Sequence, residues 1–268
     1  MFVSIDYLCS WKRRNVDTMA FKEGMFGHHE HQVYKSTFLR KVEGEIEVDG
    51  ESWSKREGGV GLFKEYVGRQ FGIDLGGDYK GDGAVIKSKD GNIRYTFVGN
   101  RAMVSIGRGG YVSFDDSFRG VIEKLSDFGG SMARGARVRK LMMRKENVMP
   151  MAMPESGGSL RGLLGEVLRS EHADMLLAGC VKGNDFEEVD KGIRTDIGDG
   201  GRIVRLIGYE YTGERRVDVR VTITAVYEPE GGMDAGDIVA RAEEINQMMF
   251  DAFMDTVTPG VEAIMRED

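Results

Sequence analysis

The sequence has few of the residue types from which catalytic and metal sites are most often built. Its 268 residues include two cysteines, four histidines, two tryptophans and four prolines. Cys9 and Cys180 lie far apart in apolar, strand-like contexts, which favours two buried thiols over a structural disulfide. Because 38 glycines accompany so few prolines, Gly, Asp and Asn are expected to form most of the turns.

The chain also lacks the short motifs that identify common enzyme classes. It contains no phosphate-binding P-loop, no complete Gly-rich dinucleotide fingerprint and no Gly-x-Ser-x-Gly nucleophile elbow. No apolar run approaches the roughly 20 residues of a membrane-spanning helix. The first basic residues follow the N-terminal apolar stretch, whereas a secretory signal has them in front of it. We therefore expect a cytoplasmic protein without a membrane span.

Charge is distributed unevenly along a chain whose net charge is −7. Residues 1–128 are neutral in sum, residues 129–158 carry +4 and residues 159–268 carry −11. The positive segment begins and ends with glycine pairs and is rich in methionine. This pattern predicts an N-terminal domain over 1–128, a basic Met-rich linker over 129–158 and an acidic C-terminal domain over 159–268. Docking of the linker on the acidic half is the simplest role for its charge.

Hydrophobic periodicity predicts an α+β fold, with two antiparallel-sheet-plus-helix layers joined by the basic segment. Residues 42–49 alternate between apolar side chains and acids, which is typical of a strand with one solvated face. Asp90-Gly91 between two β-prone runs predicts a hairpin. A longer hairpin is predicted over 202–227, and the apolar run 175–180 predicts a buried strand followed by an acidic loop over 182–201.

Helical spacing of apolar residues follows a suitable N-cap residue in three places. The predicted helices begin after Asp115, after Ser159 and after Asp234. The third is the longest, carries a continuous apolar seam, and is predicted to stop near Thr258-Pro259-Gly260. Together with the hairpin over 202–227, this helix gives the C-terminal half two long elements that could contact a partner.

Two groups of side chains predict a metal or an acid–base site. His29 and His31 project to the same side of an extended backbone, and Glu30 or a distant carboxylate could complete the shell of a divalent metal. Several carboxylates lie within 185–199 and could hold Mg²⁺ or Ca²⁺, or act in proton transfer. A histidine turn without metal and a solvated acidic loop are the non-functional alternatives.

The basic segment carries the remaining candidate residues. Six cations with no acid among them, interleaved with apolar residues, predict a basic amphipathic helix over 134–145 that could bind nucleic acid or an acidic surface, although no aromatic residue is present to stack on bases. A Met-x-Met-x-Met array follows, for which adaptable apolar packing is favoured over Cu(I) binding. The candidates are Arg134, Arg137, Arg139, Lys140, Arg144, Lys145, Met149, Met151 and Met153.

The sequence alone therefore favours a non-catalytic binding or assembly protein. It would contact a partner, or further copies of itself, through the basic Met-rich segment and the C-terminal hairpin and helix. The first alternative is a metal-dependent, hydrolase-like enzyme that uses the His28–His31 cluster or the carboxylates of 185–199. The second alternative is a nucleic-acid-binding protein that uses residues 134–145.

Overall fold

The structure is a computed structural model that describes residues 22, 24–30, 37–49, 61, 65, 77–80, 83–88, 90–120, 122–123, 137–153, 158–178, 188–213 and 215–267. Within these residues, nine strands form one sheet. The strands are β1 Leu39–Val48, β2 Gly77–Lys80, β3 Gly83–Lys87, β4 Ile93–Val98, β5 Arg101–Gly107, β6 Val138–Ala152, β7 Glu188–Gly198, β8 Gly201–Gly213 and β9 Arg216–Tyr227.

Strands from both halves of the sequence belong to the same sheet. Its order is β2-β3-β4-β5-β1-β6-β9-β8-β7, and every neighbouring pair is antiparallel. The predicted α+β class is confirmed. The pairing of β1 with β6 joins the two groups of strands that the sequence suggested as separate layers, and the division into two domains stays a prediction.

Helices cover one face of the sheet. They are α1 Leu160–Val167, α2 Ser170–Leu177, α3 Ile238–Met254 and α4 Pro259–Arg266, with a π-helical turn over Phe114–Arg119. Ser159 caps α1 as predicted, since its Oγ accepts a hydrogen bond from the Gly162 N–H at 3.1 Å. The long C-terminal helix is also confirmed, with its predicted seam buried. Helix α4, with Pro259 in its first turn, is an element that the sequence analysis missed.

Strand β1 shows how the sheet separates its two faces. Val42, Ile46 and Val48 are buried on the helix-covered face, while Glu43, Glu45 and Glu47 lie on the opposite face, called the open face below, as the alternation predicted. The predicted solvation of this face holds only in part, because Glu45 is 6% exposed beside Lys140. Gly44 lies among the buried residues because the ring of Phe118, from the π-helical turn, occupies the space that its side chain would need. The missing Cβ thus lets this turn pack directly on the sheet.

The prediction of a basic helix over 134–145 is wrong for the residues that the structure describes. Residues 138–152 form β6, which pairs with β1 on one side and with β9 along Leu141–Ala152 on the other. This strand lies at the centre of the sheet, so this part of the predicted linker is core structure. The sequence obscured the strand because Lys145 and Asn147 occupy core-face positions between Met143 and Met149.

Two further expectations about the C-terminal half are corrected. The run that predicted a strand at 175–180 lies partly in α2, because a short apolar run does not distinguish a strand from a buried helix. Residues 188–198 of the predicted acidic loop form β7 at the edge of the sheet. An edge strand tolerates acids such as Asp190 and Asp196, which is why its composition resembles that of a loop.

Gly44→Ala is expected to lower the free energy of unfolding by about 1–3 kcal/mol, because the new methyl group would overlap Phe118 and lie 3.1 Å from Ile122 Cδ1. Gly165→Ala is the matched control, since a Cβ at this position in α1 meets no atom within 4 Å. Urea unfolding followed by circular dichroism measures both. Equal stabilities of the two variants would contradict the close approach of Phe118 to β1.

Candidate functional site

A pocket lies between the helix-covered face of the sheet and the helices α3 and α4. Its empty volume is about 650 Å³, part of which is open solvent. Strands β1, β6 and β9 form its floor, the segment 111–114 one wall, and α3 with α4 the other. The lining residues are Thr37, Leu39, Tyr111, Val112, Ser113, Phe114, Lys145, Asn147, Ile223, Met249, Phe250, Phe253 and Met265.

Lys145 brings a positive charge into this pocket from the centre of the sheet. The period of two along β6 puts Lys145 on the same face as Leu141, Met143 and Met149, all of which are buried. Its Nζ donates a hydrogen bond of 2.6 Å to Oδ1 of Asn246 on α3. Among the described residues no carboxylate forms an ion pair with it, so its only partner is the neutral amide of Asn246.

The surroundings of Lys145 disfavour its charged form. Loss of hydration in the pocket lowers the pKa of Lys145 from 10.5 to about 8. A perturbed pKa in an apolar pocket marks a candidate functional group, because a cation without an anion is costly to keep away from water. At neutral pH the amine is still mostly protonated, so the pocket contains a charge for which the described residues provide no counter-charge.

The rest of the pocket is mostly apolar. Phe114, Met249 and Phe253 are buried, with 4%, 1% and 6% of their surfaces exposed, so the walls are apolar and closely packed. Met249 and Met265 add flexible side chains that can adapt to the shape of a guest. Val112 is 65% exposed and lies at the mouth. The arrangement suits a molecule with an apolar body that enters past Val112.

A few polar groups complete the lining. Asn147 donates from Nδ2 to the carbonyl of Val221 at 3.3 Å, which fixes its amide beside Lys145 on the floor. Burial raises the pKa of Tyr111 well above its ordinary value, and the charge of Asp115 adds to this shift, so its hydroxyl stays protonated at physiological pH. An ion pair between Arg119 and Glu243 ties the π-helical turn to α3 and thereby holds two walls of the pocket together.

The other described cations of the basic run lie outside the pocket. Lys140 and Arg144 lie on the open face of β6 and pair with Glu45 at 3.0 Å and with Glu43 at 3.5 Å, respectively. Arg137 lies 3.8 Å from Asp234, Arg139 is exposed, and Arg134 lies outside the described residues. The strand therefore brings only Lys145 of this run to the helix-covered face.

The predicted methionine array lies on the same side of β6 as Lys145. Met149 is 1% exposed, and Met151 and Met153 are partly buried against the core. Met149 and Met151 share a face because they are two residues apart along β6, and Met153 directly follows the end of this strand. In this position they contribute apolar packing, the role that the sequence favoured over copper binding.

The histidine segment packs against the C-terminal end of α3. The N–H of His29 donates to Asp251 Oδ1 at 2.9 Å, and its Nε2 lies 3.1 Å from Asp255 Oδ1. Glu30 is exposed, and His31 lies outside the described residues. No group of three or more His, Cys, Asp or Glu side chains that could share a metal is present in the described part of the chain. A metal at His29, Glu30 and His31 therefore stays a prediction, which metal analysis of the purified protein checks.

The described carboxylates of 185–199 are spread along β7 and the turn that follows it. Those that form a side-chain contact each contact a different residue. Asp190 lies 3.4 Å from Arg220, Asp196 lies 3.1 Å from Lys22, and Asp199 accepts a hydrogen bond of 2.5 Å from the hydroxyl of Tyr227. Asp185 and Glu187 lie outside the described residues. These contacts anchor neighbouring elements and bring no two of the described carboxylates together at one centre.

Comparison with known proteins does not assign the pocket. No protein-family model matches the chain, and no curated protein matches it in sequence. Among solved structures, TBP from Methanococcus jannaschii aligns with a TM-score of 0.28 and 10% sequence identity, over 79% of this chain and 95% of that chain. A likeness this weak supports no functional conclusion. In the described residues, no helix is long and apolar enough to cross a membrane.

The sequence analysis identified Lys145 but missed the residues that make it a site. Asn246 and the pocket-facing Phe250 belong to the predicted long helix, yet nothing in the sequence indicated which strand they face. Residues 111–114 form the wall beside the π-helical turn, and no pattern in the sequence indicated this position. The one feature of the sequence that indicated this site is the spacing of Lys145, which lies two residues after Met143 and four before Met149 on the apolar face of β6.

Lys145→Met is expected to raise the free energy of unfolding at pH 7 by on the order of 1 kcal/mol, because it removes a charge that burial disfavours. Between pH 8 and 10.5, Lys145 is protonated in the unfolded chain but loses its proton in the folded protein. Its destabilising effect is therefore largest below pH 8 and decreases as the pH rises through this range. The stability gap between the two proteins should therefore narrow from pH 8 to pH 10.

Chemical denaturation at several pH values measures this gap. Arg144→Met is the control, because it removes a cation from the opposite face of the same strand, and since arginines keep their proton between pH 8 and pH 10 its stability difference should not change over this pH range. A constant difference for Lys145→Met as well would mean that Lys145 titrates as an ordinary surface amine.

Proposed function

We propose that the protein is a non-catalytic binding protein for a small amphipathic molecule with an apolar body and an anionic head group. The molecule would occupy the pocket above β6 and pair its head group with Lys145. The observation that carries this proposal is the Lys145 ammonium group, which lies in an apolar pocket and has, among the described residues, one neutral acceptor, Asn246, as its partner.

The electrostatics of the pocket favour an anion. An opposite charge beside a desolvated ammonium group stabilises the charged form and offsets the loss of hydration. Nζ has three protons, and the hydrogen bond to Asn246 uses one of them. A carboxylate can accept from the remaining N–H groups, and the ion pair then forms where little water competes.

The apolar lining supplies the second half of the recognition. Small-molecule pockets typically bury most of their ligand against hydrophobic and aromatic side chains, with a few polar groups that fix its orientation. Phe114, Phe250 and Phe253 give this pocket aromatic surface, and Lys145 gives it one charged group at the floor. A flexible acyl or alkyl chain fits this combination better than a highly polar metabolite does.

Local contacts make the other functions considered from the sequence less favoured. In the basic run, Lys140 and Arg144 already pair with carboxylates of β1, which reduces the charge available to a nucleic-acid backbone. The carboxylates of β7 do not converge on one centre in the described structure. Self-association stays a separate prediction, for which sedimentation of the protein at high concentration is the test.

Octanoate is expected to bind at least about tenfold more tightly than octanol, because only the carboxylate pairs with Lys145. Lys145→Met should remove this preference and leave the weaker binding of octanol nearly unchanged. Isothermal titration calorimetry, or displacement of a fluorescent apolar probe, measures both affinities.

Arg144→Met provides the matched control, since Arg144 is a neighbouring cation on the opposite face of the same strand. It should leave the octanoate affinity as it is in the unmodified protein. The proposal fails if octanoate and octanol bind equally, or if Lys145→Met and Arg144→Met have the same effect.

A further inference from the structure

A second concave region lies on the open face of the sheet, on the side away from the Lys145 pocket. Two adjoining hollows there share Lys41, Arg94 and Ser105, and the larger has an empty volume of about 770 Å³ that is open to solvent. We call the larger hollow the basin. Its lining residues are Arg40, Lys41, Gly91, Asn92, Arg94, Ser105, Gly107 and Glu146.

The basin concentrates positive charge in a protein whose net charge is −7. Arg40, Lys41 and Arg94 line it, with Glu146 as the only acid among its lining residues. Arg40 and Arg94 are exposed, and neither side chain forms an ion pair or hydrogen bond with the part of the chain that the structure describes. Within these residues, no contact occupies their guanidinium groups.

The register of the sheet adds a like-charge pair at the edge of the basin. Lys87 of β3 and Arg94 of β4 are directly opposite each other on the open face. Like charges in this arrangement repel and weaken a pair of strands. The next residue across the sheet is Ser105, so no carboxylate of the adjoining strand separates or neutralises the two cations. An anion bound between them would relieve this repulsion.

Nearby carboxylates are committed to other contacts. Glu43 lies 2.6 Å from Lys41 and 3.5 Å from Arg144, so it is shared between two cations. Asp90, in the turn that forms one wall, accepts hydrogen bonds from Asn92 N at 3.0 Å and Asn92 Nδ2 at 2.7 Å. Glu146, which lines the basin, and Asp90 offset part of the charge on Arg40, Arg94 and Lys87, and an excess of positive charge remains.

We propose that the basin is a second binding site, which takes the phosphate group of a small phosphorylated molecule. A guanidinium group matches the geometry of a phosphate because it donates two parallel hydrogen bonds to its oxygens. Two such cations also match its double negative charge. Arg40 and Arg94 would provide these donors, and the Ser105 hydroxyl would provide a neutral one. The site is independent of the pocket at Lys145, since it lies on the opposite face of the sheet and uses other residues.

The test is an NMR titration of the ¹⁵N-labelled protein with inorganic phosphate at constant ionic strength. Saturable shifts are expected for the amides of Asn92, Ser105 and Gly107, which line the basin. Arg94→Gln should weaken this binding by about tenfold to a hundredfold, because a charge-assisted pair of hydrogen bonds is lost. Arg40→Gln has the same expected direction and serves if Arg94→Gln does not fold.

Arg202→Gln is the matched control, because Arg202 lies on the same open face, outside the basin, and pairs with Glu228 at 2.7 Å. It changes the net charge equally and should leave phosphate binding unchanged. Equal weakening by Arg202→Gln, or shifts spread evenly over the open face, would reduce the effect to general screening and overturn the proposal. A hexaglutamate peptide that shifts the basin amides where phosphate does not would also overturn it, in favour of an acidic protein partner.

Discussion

The alternation of side chains along β6 is the constraint on which the candidate site depends. The strand is hydrogen-bonded to β1 and β9, so a slip by one residue would turn Leu141, Met143 and Met149 out of the core. The register that buries these residues also puts Lys145 on the same face, beneath α3. The charge in the pocket is thus a consequence of the same pattern that holds the centre of the sheet together.

The sheet gives the protein two chemically different surfaces. On the helix-covered face, the pocket is lined mostly by apolar side chains, and Lys145 is the charged group among its described lining residues. On the open face, Glu43 and Glu45 of β1 are paired with cations of β6, while Arg40 and Arg94 line the basin without a carboxylate partner among the described residues. One face suits an apolar ligand with an anionic head, and the other suits a hydrated anion.

Local patterns predicted the elements that follow a simple period, namely β1, both hairpins, and α1 and α3. They failed where a polar residue occupies a core position, as Lys145 and Asn147 do in β6, and where a short apolar run fits a helix and a strand equally well. The pocket could not be predicted, because its lining extends from Thr37 to Met265 and depends on which elements pack together. Lys145 was a candidate for its charge alone, while its orientation required the register of the sheet.

The proposed pairing of Lys145 with an anionic ligand is tested most directly by the pKa of Lys145, measured by heteronuclear NMR in the free protein and in the presence of octanoate. We expect a pKa near 8 in the free protein. This pKa should rise clearly when octanoate binds, because a carboxylate beside the amine stabilises its protonated form. A pKa near 10.5 in the free protein, or a pKa of about 8 that octanoate leaves unchanged, would contradict the proposed pairing.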